Sequence, residues 1–400
     1  MTLEPARALL TPEGMALLRS LPPYRSADDT LALSTRLRRE GHSPELIAAA
    51  LTQSRLRAEA SAKFGPFAEH LLYTADGLQQ ATRLTVAAAH ASRLQRAGIT
   101  HFADLGCGLG ADSLAFAAAG MSGLAVDADE LTAALAAFNL ADWPVEVRYQ
   151  RAEDVTLPAD WGVFLDPARR VAGRRTWRPE EFAPSLDWVF DLTARRTAGV
   201  KLGPGLPHEL IPAAAEAEWV SDGGEVVEVG LWFGDAAERP GQTSALRHDA
   251  DGWHRVVAEQ DDPQPGPVGA WLYEPDGAAI RARTLGTLAA QHSLHTIDPH
   301  IAYLTGDDRV DSPFLRRYQV LEQLPFDRRA LLKSLRAHGA RRVTVKKRGA
   351  DIDPAALAKQ LQKQLAKSRD AEASAQGADD LTVFVTRVGD RHCAILTKTA

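Results

Sequence analysis

The stretch His101-Phe102-Ala103-Asp104-Leu105-Gly106-Cys107-Gly108-Leu109-Gly110-Ala111-Asp112-Ser113 constrains this chain more than any other. It reads as an apolar strand that ends in a carboxylate, a glycine-rich turn, and a helix starting near Ala111. Glycines remove Cβ atoms where a backbone turns sharply and approaches a ligand, and the N–H groups of the helix start point at that turn. The pattern is that of a nucleotide-type cofactor cradle.

From about 99 to 222, apolar strands alternate with helical patterns. Strands are expected at 100–105, 123–127, 145–149, 162–166 and 198–202, with helices at 111–119, 129–141, 179–195 and 207–217. Such alternation implies an α/β, Rossmann-like, doubly wound parallel sheet with right-handed crossovers. Residues 1–98 are rich in Ala, Leu, Arg and Glu and read as a helical N-terminal region; Ser43-Pro44 marks one helix start, and a single helix over 77–97 leads into the first strand. Residues 223–275 read as β-rich and complete the second domain. The tail, 276–400, reads as an α+β domain of ferredoxin-like or THUMP-like kind. Its helices are expected at 276–290, 327–338 and 354–367, its strands near 314–322, 341–347, 381–387 and 392–397, and a mobile loop around 370–380.

The carboxylate before the turn discriminates between cofactors. A pyrophosphate laid against the turn would be repelled by Asp104, whereas the sulfonium and ammonium of S-adenosylmethionine are attracted to it. Asp127 ends the second strand, where an acid accepts ribose hydroxyls, and Glu153 and Asp154 follow the third, where Asp154 is the chosen acceptor for an adenine amino group. The ordered set of Asp104, Gly106, Gly108, Gly110, Asp127 and Asp154 is more specific than a glycine motif alone. A dinucleotide site, or a turn that merely packs a helix on a strand, are the alternatives.

The fourth strand ends in Asp166-Pro167-Ala168-Arg169. Ligands sit outside the carboxyl ends of the strands of an open parallel sheet, so this turn faces the transferable group. Asp166 and the Pro167 carbonyl are positioned to accept hydrogen bonds from an exocyclic amine and orient its lone pair; a simple turn cap is the alternative reading of Asp166. Arg169, Arg170, Arg174 and Arg175 are candidates for phosphate contact or for a solvated face, and Trp177 for base stacking or for packing. Lys201, in Lys201-Leu202-Gly203-Pro204-Gly205, is a candidate phosphate or substrate contact at the same mouth.

These residues, together with Tyr273-Glu274-Pro275-Asp276, the segment from Asp298 to Thr305 and Lys346-Lys347-Arg348-Gly349, resemble the bacterial class I S-adenosylmethionine-dependent methyltransferases with a C-terminal THUMP-like domain. The segment Tyr73 to Thr82 is similar to that group's approach helix and, more distantly, to the corresponding segment of cap-guanine-N2 (trimethylguanosine synthase) methyltransferases. The resemblance implies that Thr74, Gln80 and Thr82 touch the methionine end of the cofactor. It also implies a structured RNA acceptor, tRNA or rRNA, with an exocyclic amine such as guanine N2 as the target. Ala168-Arg169 departs from the second proline and aromatic residue of amino-directed enzymes, which weakens that choice of atom. A uracil-C5 route needs a nucleophilic cysteine, and none follows Asp166 within this domain.

Charge supports the RNA reading locally. The chain carries a net charge of −6, yet residues 326–370 hold thirteen Lys or Arg against four Asp. Arg341, Arg342, Lys346, Lys347 and Arg348 form its densest run, suited to phosphate contact, with a solvated face as the alternative. The two cysteines, Cys107 and Cys393, suggest a reducing cytoplasm rather than a disulfide framework. The longest apolar-rich run, Leu114 to Val126, is too short to span a bilayer. His292, His295 and His300 lack partners at metal-ligand spacing, so no metal is expected, nor any membrane or obligate protein partner. The reading is an S-adenosylmethionine-dependent RNA methyltransferase. Its alternatives are a methyltransferase for a small molecule or protein, and an inactive RNA-binding protein of the same fold.

Overall fold

The computed structural model describes residues 3–169, 178–369, 379–389 and 391–399. Arg170, Arg174, Arg175, Trp177 and most of the loop expected at 370–380 lie outside them. The chain forms two compact units, one of residues 1–216 and 229–241, the other of 217–228 and 242–400. This differs from the three expected segments 1–98, 99–275 and 276–400. The N-terminal helices share a buried cluster with the glycine turn, from Leu9 through Leu72 to Leu140, so they belong to the first unit.

In the first unit, α1 (Leu3–Leu9), α2 (Pro12–Ser20), α3 (Ala27–Arg39) and α4 (Pro44–Phe64) precede α5 (Ala75–Gln80) and α6 (Leu84–Arg96). Ser43 caps α4 by accepting from Leu46 N at 3.2 Å, with Pro44 opening the helix. The single helix expected over 77–97 is broken at 81–83. Lys63 reaches from α4 and donates to the carbonyls of Leu78, Gln79 and Ala81 at 2.9, 2.7 and 2.9 Å. An ammonium on those carbonyls satisfies the end of α5, so the helix stops there.

Then follow β1 (His101–Leu105), α7 (Ala111–Ala118), β2 (Ser122–Asp127), α8 (Glu130–Asn139), β3 (Val145–Tyr149), β4 (Gly162–Leu165), the two-residue strands β5 (Ala168–Arg169) and β6 (Phe182–Ala183), α9 (Leu186–Thr193) and β7 (Ala198–Leu202). β8 (Glu216–Asp222) and β9 (Glu225–Phe233) pass from one unit into the other. Within the first unit the order is β3-β2-β1-β4-β7-β9, parallel except for β9, which runs against β7. The doubly wound sheet is therefore as expected, with a reversed edge where a dinucleotide fold continues parallel. The order reverses between β1 and β4, the switch point at which such sheets bind ligands. The expected helices at 179–195 and 207–217 are shorter or absent: α9 begins only at Leu186, and 207–217 holds a single 3₁₀ turn, His208–Leu210, and then the start of β8.

The second unit contains β10 (Thr243–Asp249), parallel to β8 and antiparallel to β11 (Gly252–Val257). Next come β12 (Trp271–Pro275), α10 (Gly277–Arg281), α11 (Leu285–His292), β13 (His295–Asp298), β14 (Ile301–Gly306), β15 (Leu315–Pro325), α12 (Arg328–Ala337), β16 (Ala340–Lys347), α13 (Pro354–Arg369), β17 (Asp379–Val388) and β18 (Arg391–Thr399). The helix expected over 276–290 is two, interrupted at Arg283, whose φ is +57°. β12, β13 and β14 extend the tail sheet to the order β13-β14-β12-β15-β18-β17-β16. The ferredoxin-like expectation is not met. From β15 the succession is βαβαββ with β16 and β17 parallel across α13, whereas a ferredoxin-like unit is βαββαβ. Leu331, Leu335, Leu357, Leu361, Val383 and Leu396 pack this half into one core.

Candidate functional site

At the carboxyl ends of β1, β2, β4 and β7 the first unit holds a cavity of about 680 Å³. Its lining includes Thr74, Gln80, Thr82, Asp104, Gly106, Gly108, Asp127, Asp166 and Lys201, nine of the residues singled out from the sequence. Asp154 and Pro167 are not among the lining residues, and the Arg169 side chain lies outside what the structure describes. After β3 the wall consists of Gln150, Arg151, Ala152 and Glu153, and Asp154 offers its backbone carbonyl to Gln150 Nε2 at 2.9 Å. Pro167 is buried, and Ala168 lines the mouth together with Ala183 and Pro184 from the opposite arm of the β5–β6 ribbon.

The glycine turn is built as its sequence requires. Gly106 has φ +102°, and a Cβ there would lie 3.2 Å from the Asp166 carbonyl oxygen. The N–H groups of Gly106 and Cys107 both donate to Val126 O at 2.9 Å, which ties the turn to the end of β2. Gly108 N donates to Asp127 Oδ2 at 3.0 Å while Asp129 N donates to Asp127 Oδ1 at 2.9 Å. Asp127 is thereby fixed in orientation, and a carboxylate with about four acceptor positions keeps capacity for hydroxyl donors.

Two buried amides hold the wall that carries Thr74. The Gln53 side chain pairs with both backbone groups of Tyr73, at 2.6 and 2.9 Å. Asn139 accepts from Leu72 N at 2.7 Å and donates to Leu72 O and Leu109 O, each at 3.0 Å. Thr74 itself caps α5, accepting from Gly77 N at 3.0 Å.

Carboxyl groups dominate the electrostatics. Asp104 is 1% exposed and accepts from Ser113 Oγ at 2.6 Å. Burial, and then the neighbouring Asp112, push its pKa up to about 8. Burial also acts to raise Asp112, but the hydrogen bond and charge of His90, the charge of Lys201 and a bond from Thr82 outweigh it and leave Asp112 below the usual carboxylate range. Asp127 is raised, mainly by burial. Crowded acids of this kind suit a cationic ligand and oppose a pyrophosphate.

Asp112 and His90 were not anticipated as site residues. Asp112 stands in the first turn of α7, where an acid also reads as a simple dipole partner, and His90 lies on the buried face of α6. They connect to the mouth through Thr82, which donates to Asp112 Oδ2 at 2.7 Å, and Lys201, which donates to Thr82 Oγ1 at 2.9 Å and meets Asp166 Oδ2 at 2.5 Å. Lys201, a candidate phosphate or substrate contact from the sequence, directs its ammonium to a carboxylate and a hydroxyl.

In the second unit the basic run divides. Arg341 and Arg342 are exposed. Lys346 pairs with Glu274, Lys347 donates to Ile352 O at 2.6 Å, and Arg348 donates to Ala302 O at 3.0 Å while lying over the Tyr303 ring. Val343 and Val345 point into the core, and the division of the cations follows from the partners within reach, Glu274 on β12 for Lys346 and the carbonyls of Ile352 and Ala302 for Lys347 and Arg348. Arg328, Arg329, Lys333, Lys359 and Lys363 are exposed on α12 and α13. Of the histidines 292, 295 and 300, His295 makes a ring contact with Pro267 O at 2.8 Å, and His300 donates its backbone N–H to Asp298.

Comparison with known proteins gives the family. A THUMP domain-like family model matches residues 315–399, and a domain of unknown function (DUF8688) matches residues 2–60. An uncharacterized S-adenosylmethionine-dependent methyltransferase of Mycobacterium tuberculosis, seen in two strains, is 34% identical over 349 residues, covering 84% of this chain and 91% of the relative. The crystal structure of a proposed methyltransferase from Porphyromonas gingivalis W83 superimposes with a TM-score of 0.70 at 19% identity, over 94% of this chain and 99% of that one. The chain belongs to the S-adenosylmethionine-dependent methyltransferases, with a THUMP-like domain at its C-terminal end. Its methyl donor is S-adenosylmethionine, in keeping with the acid-lined cavity at the switch point. Among the described residues no helix is long and apolar enough to cross a membrane.

Proposed function

We propose that the protein methylates structured RNA, tRNA or rRNA, at an exocyclic amine such as guanine N2. The observation that carries the RNA part is the THUMP-like half with its exposed cations: Arg341, Arg342, Arg328, Arg329, Lys333, Lys359 and Lys363 offer points for phosphate contact. A cytoplasmic location, expected from the sequence, goes with such an acceptor.

S-adenosylmethionine supplies a methyl group made electrophilic by its sulfonium. In this reading Asp104, with the Thr74 and Gln80 wall opposite, holds the methionine end, and Gly106 and Gly108 give the backbone room to approach. Asp127 takes the ribose hydroxyls, and the stretch around Glu153 and Asp154 takes the adenine. Asp166 receives the acceptor at the mouth. Its carboxylate accepts the amine N–H, which turns the nitrogen lone pair toward the methyl, and the proton shed after transfer leaves by the same carboxylate or by water. Ala168, Ala183 and Pro184 add an apolar side to this mouth, and none of the described lining residues is aromatic.

The test is incubation of the purified protein with methyl-labelled donor and RNA from cells that lack it. The reading expects label in that RNA and none in RNA from wild-type cells. Equal absence of label from both, with the donor demonstrably bound, rejects RNA as the acceptor.

A further inference from the structure

Behind Asp166 stands a chain of side chains from four different elements. Lys201 on β7 reaches Asp166 Oδ2 at 2.5 Å and Thr82 Oγ1 at 2.9 Å. Thr82, at the joint between α5 and α6, donates a hydrogen bond to Asp112 Oδ2 at 2.7 Å, and the other Asp112 oxygen meets His90 Nδ1 on α6 at 2.8 Å. The side chains of His90, Asp112 and Lys201 are 4%, 10% and 11% exposed. A hydroxyl has one proton; because that of Thr82 goes to Asp112, its lone pairs face Lys201, and the chain has a fixed direction. Four dihedrals leave a lysine head group free to wander, and two simultaneous bonds remove that freedom.

We propose that Lys201 is a positioning residue for Asp166, and that Thr82, Asp112 and His90 are the support that keeps it there. The proposal rests on the reading that Asp166 receives the acceptor. An ammonium bonded to one oxygen fixes the plane of the Asp166 carboxylate, so that an incoming N–H meets it in one orientation. The same positive charge at the mouth opposes a cationic acceptor and admits a neutral amine. Asp166 is faced by Asp104 on β1 and Asp127 on β2 as well as by Lys201, and Lys201 also faces Asp112 on α7, so the ammonium stands among like charges.

Three measurements on the full chain test this: single-turnover transfer of labelled methyl to RNA from cells lacking the protein, calorimetry with S-adenosylhomocysteine, and ¹⁵N spectra of the lysine ammonium groups. Lys201→Met is expected to slow transfer about 100-fold while product affinity stays within about threefold, because a positioning group acts on orientation and not on donor binding. Lys201→Arg, which keeps the charge, recovers part of the rate. Thr82→Val slows transfer about tenfold alone but less than about twofold in the Lys201→Met background, since both act through one chain. Thr82→Ser, which keeps the hydroxyl, recovers most of the loss. The wild-type spectrum is expected to contain slowly exchanging ammonium signals, one from Lys63 on its three carbonyls and another that Lys201→Met removes and Thr82→Val makes faster.

Full transfer by Lys201→Met, a fall in product affinity as large as the fall in transfer, or additive effects of the two substitutions would overturn the proposal. So would a Lys201 ammonium signal indifferent to Thr82→Val. If the wild-type protein binds product yet labels no RNA, the RNA reading fails instead, and the ammonium spectrum alone supports or overturns the array.

Discussion

Asp104 and Asp112, eight positions apart, are buried at one cavity wall and are driven in opposite directions: Asp104 up to about 8, Asp112 below the ordinary carboxylate range. The difference lies in their partners. Asp112 has His90, Lys201 and Thr82, whereas Asp104 has the Ser113 hydroxyl and two neighbouring acids. Asp104 is therefore largely protonated at neutral pH until a cation arrives. A bound ammonium or sulfonium lowers its pKa, so binding releases a proton, and donor affinity rises with pH up to about 8. Calorimetry from pH 6 to 8 in buffers of different ionisation enthalpy should show up to one proton released and close to a tenfold gain in affinity per unit. Asp104→Asn removes the pH dependence together with much of the affinity.

The same shift has a consequence for folding, with the opposite sign. The folded pKa of Asp104 lies above the unfolded value near 3.8, so between about 4 and 8 the folded state binds more protons and stability falls as pH rises. Asp104→Asn should gain in unfolding temperature relative to wild type as pH goes from 5 to 8, measured without donor. A constant difference across that range would show that Asp104 titrates normally.

Asn139 satisfies three backbone groups of Leu72 and Leu109 in a buried setting. Asn139→Ala leaves them unpaired and should cost about 2–4 kcal/mol of stability. Because that backbone leads into Thr74, donor affinity falls as well. Denaturant unfolding and calorimetry check the two effects separately.

Gly106 approaches Asp166 with φ +102°, and a methyl there would press on its carbonyl oxygen at 3.2 Å. Gly106→Ala should cost about 1–3 kcal/mol in backbone strain and displace the turn between donor and acceptor sides. Donor affinity is expected to fall more than tenfold; an unchanged value would mean that the turn is remote from the ligand.

Arg341 and Arg342 remain exposed where Lys346 and Arg348 are engaged within the domain. Replacing both arginines with alanine should weaken RNA binding uniformly and lower the slope of log affinity against log salt by about 2, with donor affinity unaltered. Lys346→Ala breaks a pair with Glu274 and should appear instead as lost stability of the second unit.

Much of the first unit was legible because its signals are local. The five parallel strands fall within a residue of expectation, and Asp104, Asp127, Asp166 and Lys201 follow from standing at their ends. What escaped depends on contacts far apart in sequence. The stop after α5 is made by Lys63, and the His90–Asp112–Thr82 chain joins three segments whose residues each have an ordinary local explanation. In the tail, β13 and β14 are short and buried without a clean alternation, so their sequences carry little period-two signal. The basic run was read as one patch because the pairing of Lys346 with Glu274 spans 72 positions.

The central claim is methyl transfer to RNA through Asp166, and mass spectrometry of modified nucleosides from a deletion strain tests it most directly. The account predicts that one methylated nucleoside disappears on deletion, returns with the wild-type gene, and stays absent with Asp166→Ala. Wild-type levels of every methylated nucleoside in the deletion strain, or full restoration by Asp166→Ala, would contradict it.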